Sequence, residues 1–140
     1  MKRIFVLLLL MAPLFVMAQK KTKTAPSPAA SIARGQQVYT QYCLSCHQAD
    51  GGGVPNMNPP LIKTTYVLGD SRKLIKVVLN GFMQNVDIDG ESYSNNMPPH
   101  NFLTDQQIAD VLTYVRRNFG NKAAPVTVAQ VKTARAANKK

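Results

Sequence analysis

The chain is poor in the residues that most metal and nucleophilic sites are built from. It has two cysteines, two histidines, no tryptophan and seven acidic residues among 140. A structural zinc site wants a second ligand pair beside its first. Away from the cysteines only His100 is present. No strand–helix alternation surrounds the cysteines, which removes the usual setting of a thioredoxin-like pair. No apolar run reaches the ~20 residues of a spanning helix. The longest, Ile4 to Val16, is broken by Pro13. No basic face with interleaved aromatics is visible, so the pI of 9.9 does not point to nucleic acid.

What is present is concentrated in Cys43-Leu44-Ser45-Cys46-His47. Two thiols separated by two residues, followed directly by histidine, form the attachment signature of a c-type haem. One turn of chain lets both thiols reach vinyl groups on one porphyrin edge as thioethers. The histidine, next along the turn, points an imidazole nitrogen at the iron. A disulfide, a thiol redox pair or half of a zinc site are the rival readings of the same pair. A second haem is excluded by the cysteine count.

The ends of the chain read differently from its middle. Met1 to Ala18 has a basic start at Lys2 and Arg3, an apolar stretch and a small-residue end, the pattern of a secretory signal peptide. An uncleaved anchor is the alternative. Export to a periplasm or equivalent compartment is therefore expected, in keeping with haem attachment outside the cytoplasmic membrane. Gln19 to Ala30 reads as a flexible basic linker, residues 31–121 as one compact domain, and 122–140 as a basic tail with a short helix after Thr127. The whole chain carries +10, or +8 without Lys2 and Arg3. Within 31–121 seven basic residues meet all seven acidic ones, so the excess lies in the ends. Such ends either keep the protein soluble or steer it to an acidic partner or an anionic membrane surface.

Three helices are legible in the domain. One starts near Ser31 as N-cap and carries Ile32, Val38, Tyr39 and Tyr42 to the cysteine motif. Another starts at Asp70, carries Leu74, Ile75, Val78 and Leu79, and stops at Gly81. The clearest begins with the capping box Thr104 to Gln107. It continues through the stripe Ile108, Val111, Leu112, Val115, with Arg116 and Arg117 in a last turn that favours cations. Val86 to Tyr93 alternates weakly around Asp89-Gly90, which allows a short hairpin.

Iron held by His47 has a second face to fill. Met97, in Asn95-Asn96-Met97-Pro98-Pro99, is the predicted ligand, because the prolines stiffen its loop. His100 on the same loop is the main rival. Met57 lies near His47 in sequence, and Met83 reads as ordinary packing. If Met97 were only a core methionine, the sixth position would stand open to small ligands.

With these motifs in place the chain resembles the class I monohaem cytochromes c. The resemblance is carried by Gly35-x-x-Val38-Tyr39-x-x-Tyr42 leading into the haem motif, by Met97-Pro98-Pro99, and by Leu103-Thr104-Asp105 with Tyr114-Val115-Arg116. It implies an all-α fold, helices and long loops wrapped around one covalently bound haem c. It implies that the first and last helices cross at Gly35, against Leu112 and Tyr114. Leu61, Leu68, Leu74, Val78 and Ile108 would wall the haem, and the Pro59 carbonyl would accept from the His47 ring. Without tryptophan the haem propionates lose a partner some relatives use, which leaves Arg72, Tyr66 and Tyr93 as candidates. The implied function is one-electron transfer between redox proteins such as a dehydrogenase, reductase or terminal oxidase, without catalysis. A cytochrome subunit fixed to one enzyme is the alternative, and a haem enzyme or sensor with an open iron a lesser one.

Overall fold

The computed structural model describes residues 27–138 apart from Gln84. The segment 1–18, read as a signal peptide, and most of the linker lie outside the described residues. The described chain forms α1 (Pro28–Tyr42), α2 (Leu44–His47), α3 (Thr65–Leu68), α4 (Ser71–Asn80), the hairpin β1 (Val86–Ile88) and β2 (Glu91–Tyr93), α5 (Asp105–Arg117) and α6 (Val128–Ala137). This is a small all-α fold with one short hairpin. Among the described residues no helix is long and apolar enough to cross a membrane.

The frame is the crossing of α1 and α5. Gly35 sits at the crossing, where a Cβ would collide with the Asp110 carbonyl and the Tyr114 Cβ. The resemblance set Gly35 against Leu112 and Tyr114; the meeting is with Asp110 and Tyr114. Tyr39, Tyr114 and Phe119 close the crossing, their ring centroids 5.3, 5.4 and 5.6 Å apart. Asp110 is 2% exposed and accepts from Ser31 Oγ, from both arms of Arg34 and from Gln106. A buried carboxylate is tolerated there because its oxygens are fully engaged.

Local signals set most element ends. Asp70 caps α4, and Gly81 at φ +69° ends it in the left-handed region. Thr104 and Gln107 make the capping box of α5. The hairpin turns at Asp89 (φ +54°) and Gly90 (φ +91°), both left-handed, as an Asp-Gly hairpin requires. Asp89 also accepts from Thr65 N and Oγ1 at 3.0 and 2.6 Å, which ties the hairpin to α3.

Two expectations change and one gains detail. The first helix starts at Pro28 with Ser27 as cap, not after Ser31, because proline suits the first helical position and has no N–H to satisfy. Arg116 stands in the last turn of α5, as expected, and has further partners there. It is buried and donates to the carbonyls of Ala124, Val67 and Gly69 at 2.8, 2.6 and 3.0 Å. Burial lowers its pKa from the usual arginine value. The segment 122–140 is not a tail over its described length. Its helix is present, but Val126, Val131 and Ala134 are buried in the same core as α4 and α5. Thr113 Oγ1 also pairs with both backbone groups of Val126. The packed structure therefore continues past Asn121 to α6.

Candidate functional site

The haem motif is a helical turn. Cys43 ends α1 and opens α2, and Cys46 N and His47 N both donate to the Cys43 carbonyl, at 3.2 and 2.9 Å. One short turn thus presents both sulfurs and the imidazole to the same side. Tyr39 Oη, donating to the Gln48 carbonyl at 2.6 Å, ties the end of that turn back to α1.

Cys43, Cys46 and His47 line a cavity of about 210 Å³ in the middle of the domain. Well-packed interiors hold few voids larger than a water molecule. A void of this size, walled mostly by aliphatic side chains, is a place for a bound group. Apart from the histidines, no ionisable side chain other than cysteine and tyrosine reaches its wall among the described residues. A large, flat, apolar macrocycle fits such a wall, and the two thiols and the imidazole supply its attachment and an iron donor. His100 Nδ1, also in the wall, is buried without a hydrogen-bond partner among the described residues. Such an atom costs free energy unless a bound group satisfies it.

His47 is held for ligation. Its Nδ1 lies 2.9 Å from the carbonyl oxygen of Pro59. A carbonyl only accepts, so Nδ1 carries the proton and Nε2 is the nitrogen free for a metal. Burial lowers the His47 pKa, against the raising effect of the Pro59 bond, which keeps the ring neutral. Pro59 itself is positioned by Gly53, whose N–H donates to the His47 carbonyl at 3.1 Å and whose φ is +68°. Cys43 does not have the character of a redox-active thiol. Burial, with Cys46 nearby, pushes the Cys43 thiol up to about 11, whereas such thiols need a lowered pKa.

The sequence-derived site residues fall as follows. Cys43, Cys46, His47, Pro59, Leu61 and Met97 all line the cavity. So do Leu74 and Val78, but Leu68 and Ile108 do not: Leu68 is 41% exposed and Ile108 is fully buried in the core behind the wall. Val67, Leu112 and Val115 take those places. Met57 and Met83 are 46% and 69% exposed and stand outside the wall, so Met83 is not a packing residue. His100 is not an exposed surface histidine either; its ring packs against Tyr42 and Phe102. Of the propionate candidates, Tyr66 reaches the cavity, whereas Arg72 is paired with Asp70 in solvent and Tyr93 is buried elsewhere.

Asn121 was missed by sequence reasoning. It is buried, donates to the carbonyls of Leu61 and Val115 at 2.8 Å each, and accepts from Lys63 N at 2.8 Å. It fastens the cavity-lining Leu61 loop to α5. Its hold on Leu61 and Lys63 is not marked locally, because those partners lie 60 and 58 residues away.

Comparison with known proteins agrees with this geometry. Residues 32–118 match the family model described as cytochrome c. Cytochrome c-552 of Thermus thermophilus is 32% identical over 117 residues, covering 77% of this chain and 78% of that protein. The cytochrome c subunit of a quinone alcohol dehydrogenase from Gluconacetobacter polyoxogenes is 33% identical over 112 residues, covering 69% of this chain. The fructose dehydrogenase cytochrome subunit of Gluconobacter japonicus is 32% identical over 133 residues. This chain covers only 21% and 26% of those two subunits' lengths. The chain belongs to the cytochrome c family. The cofactor of this family is a covalently bound haem c with iron.

Proposed function

We propose that this cytochrome transfers single electrons through a haem attached at Cys43 and Cys46, with His47 and Met97 as the axial ligands. The observation that carries the ligand set is selective placement. Of the described methionines only Met97 lines the cavity with His47, while Met57 and Met83 face solvent. When bound, the haem supplies an iron that cycles between ferrous and ferric states. The chain's part is to keep both ligands in place through the cycle. Pro59 orients the imidazole and raises its basicity. Pro98 and Pro99 stiffen the methionine loop. Thioether ligation favours the ferrous state and raises the potential. Cys46 is exposed, so the attachment edge is where electrons pass to and from partners.

The optical spectrum of ferric and ferrous protein tests this, wild type against Met97→Ala. A weak red sulfur-to-iron band in the ferric wild type, lost in the variant, is the expected result. An identical ligand spectrum in both sinks the assignment.

The chain works in an exported compartment, on the pattern of Met1 to Ala18, and its partners are redox proteins such as dehydrogenases or oxidases. Two arrangements fit: a free shuttle and, as the named subunits suggest, a module of a dehydrogenase. A stable co-eluting partner in native size exclusion decides for the second. Lys20, Lys21 and Lys23 would steer the domain to an acidic partner or anionic surface, and a salt-independent association rate would remove that role.

A further inference from the structure

We propose that Arg135 is a positioning residue for Met97, clamping the loop that carries the methionine so that it stays on the ferric iron. This rests on the reading of Met97 as a ligand. Arg135 lies on α6, outside the residues that match the cytochrome c model.

The loop from Met97 to Thr104 has no helix or strand of its own beyond a single bridge. At its start Met97 N and O exchange 2.9 Å hydrogen bonds with Phe82, just past the end of α4. His100 N donates to the Val78 carbonyl at 2.8 Å. The two prolines between fix φ, so residues 97–99 move as one stiff piece. For the thioether to leave, that piece must swing, and the φ/ψ change falls on the residues that follow it, 100–103. Arg135 acts there. Its Nη1 donates to the Asn101 carbonyl at 2.9 Å, its Nη2 to the Leu103 carbonyl at 2.7 Å, and its Nε to Asp105 Oδ1 at 2.7 Å. A planar guanidinium with three donors on three successive points of one turn is a rigid fork that lysine cannot reproduce.

A clamp is only as firm as the element that bears it, and α6 is fixed along its length. Val131 is fully buried. Gln130 donates to Ser71 at the start of α4 at 3.3 Å, and Asn138 exchanges amide bonds of 2.7 and 3.1 Å with Asn80 at its end. Both ends of the methionine loop are thereby tied to α4, one through Phe82 and one through α6.

Imidazole titration of the ferric, haem-loaded full chain tests this, since imidazole binds only where the thioether lets go. Arg135→Ala should bind imidazole at least about tenfold more tightly, the size of one lost charge-assisted hydrogen bond. Asp105→Asn, which leaves both carbonyl bonds, should stay within about twofold of wild type. Arg34→Ala weakens the α1–α5 crossing away from the loop and should lower thermal stability without moving imidazole affinity. If Arg135→Ala does not mature with haem, Arg135→Lys gives the same readout. A wild type without the sulfur-to-iron band overturns Met97 ligation and this proposal with it. A wild type with the band, whose Arg135 variants bind imidazole no better or no better than Arg34→Ala does, overturns the clamp alone.

Discussion

His47 Nδ1 donates to the Pro59 carbonyl across 2.9 Å, and the backbone bearing that carbonyl folds over a glycine with no room for a side chain. A Cβ at Gly53 would meet the Asn58 and Pro59 carbonyls, and φ there is +68°. Gly53→Ala should therefore displace Pro59 and lengthen the bond to His47. A less basic imidazole stabilises the ferric iron less, so the potential should rise. Left-handed strain should add about 1 kcal/mol of destabilisation. Redox titration beside a thermal melt separates the two effects; an unchanged potential with lowered stability would show that the Pro59 bond survives.

The thiols make a simpler prediction. Both line the cavity from one helical turn, so each should contribute its own thioether. Cys43→Ser or Cys46→Ser should impair maturation, and the double variant should hold no haem through denaturing electrophoresis. Haem-linked peroxidase staining of the gel reads this directly. Full staining of the double variant would refute covalent attachment at this motif.

How far the sequence reaches depends on whether a signal is local. Asp70 and Thr104 announced their helices because a cap bonds within its own turn. The Cys43–His47 turn and the stiff Met97 loop were legible because their chemistry lies in a few adjacent residues. Leu68 and Ile108 were misplaced because periodicity marks an apolar face without saying whether it faces a cavity or the core. Arg116 and Asn121 looked like ordinary helix-end residues; their roles come from carbonyls of distant segments. The helix α6 was seen, but its burial was not, since four of its ten residues are alanine and only Val131 and Ala134 turn inward.

The α1–α5 crossing should depend on Arg34. Asp110 is 2% exposed, and Arg34 reaches it through Nε and Nη2 at 2.7 and 2.9 Å. Arg34→Ala leaves a buried carboxylate with only Ser31 and Gln106. Removing one partner of a buried pair costs about 3–5 kcal/mol; because Arg34 is itself 41% exposed, about 2 kcal/mol is expected. Denaturant unfolding followed at the haem band measures it. Asp110→Asn in the same background should recover part of the loss, since an amide needs no counter-charge.

The boundary of the folded unit can be tested by ending the chain at Asn121, three residues past the cytochrome c match. That removes the burial of Val126, Val131 and Ala134 and strips Arg116 of its bond to the Ala124 carbonyl. It also leaves Thr113 without Val126. Arg116 would then sit in its pocket with fewer acceptors, an arrangement a cation tolerates poorly. Loss of one buried valine contact alone costs about 2 kcal/mol. The ferric thermal midpoint should fall by more than about 10 °C. The truncated chain should still attach haem, because the Cys43 turn and the Pro59 carbonyl are built without α6. Equal melting of the two chains would mean that α6 contributes nothing to the fold, and the packed unit would then end where the family match does.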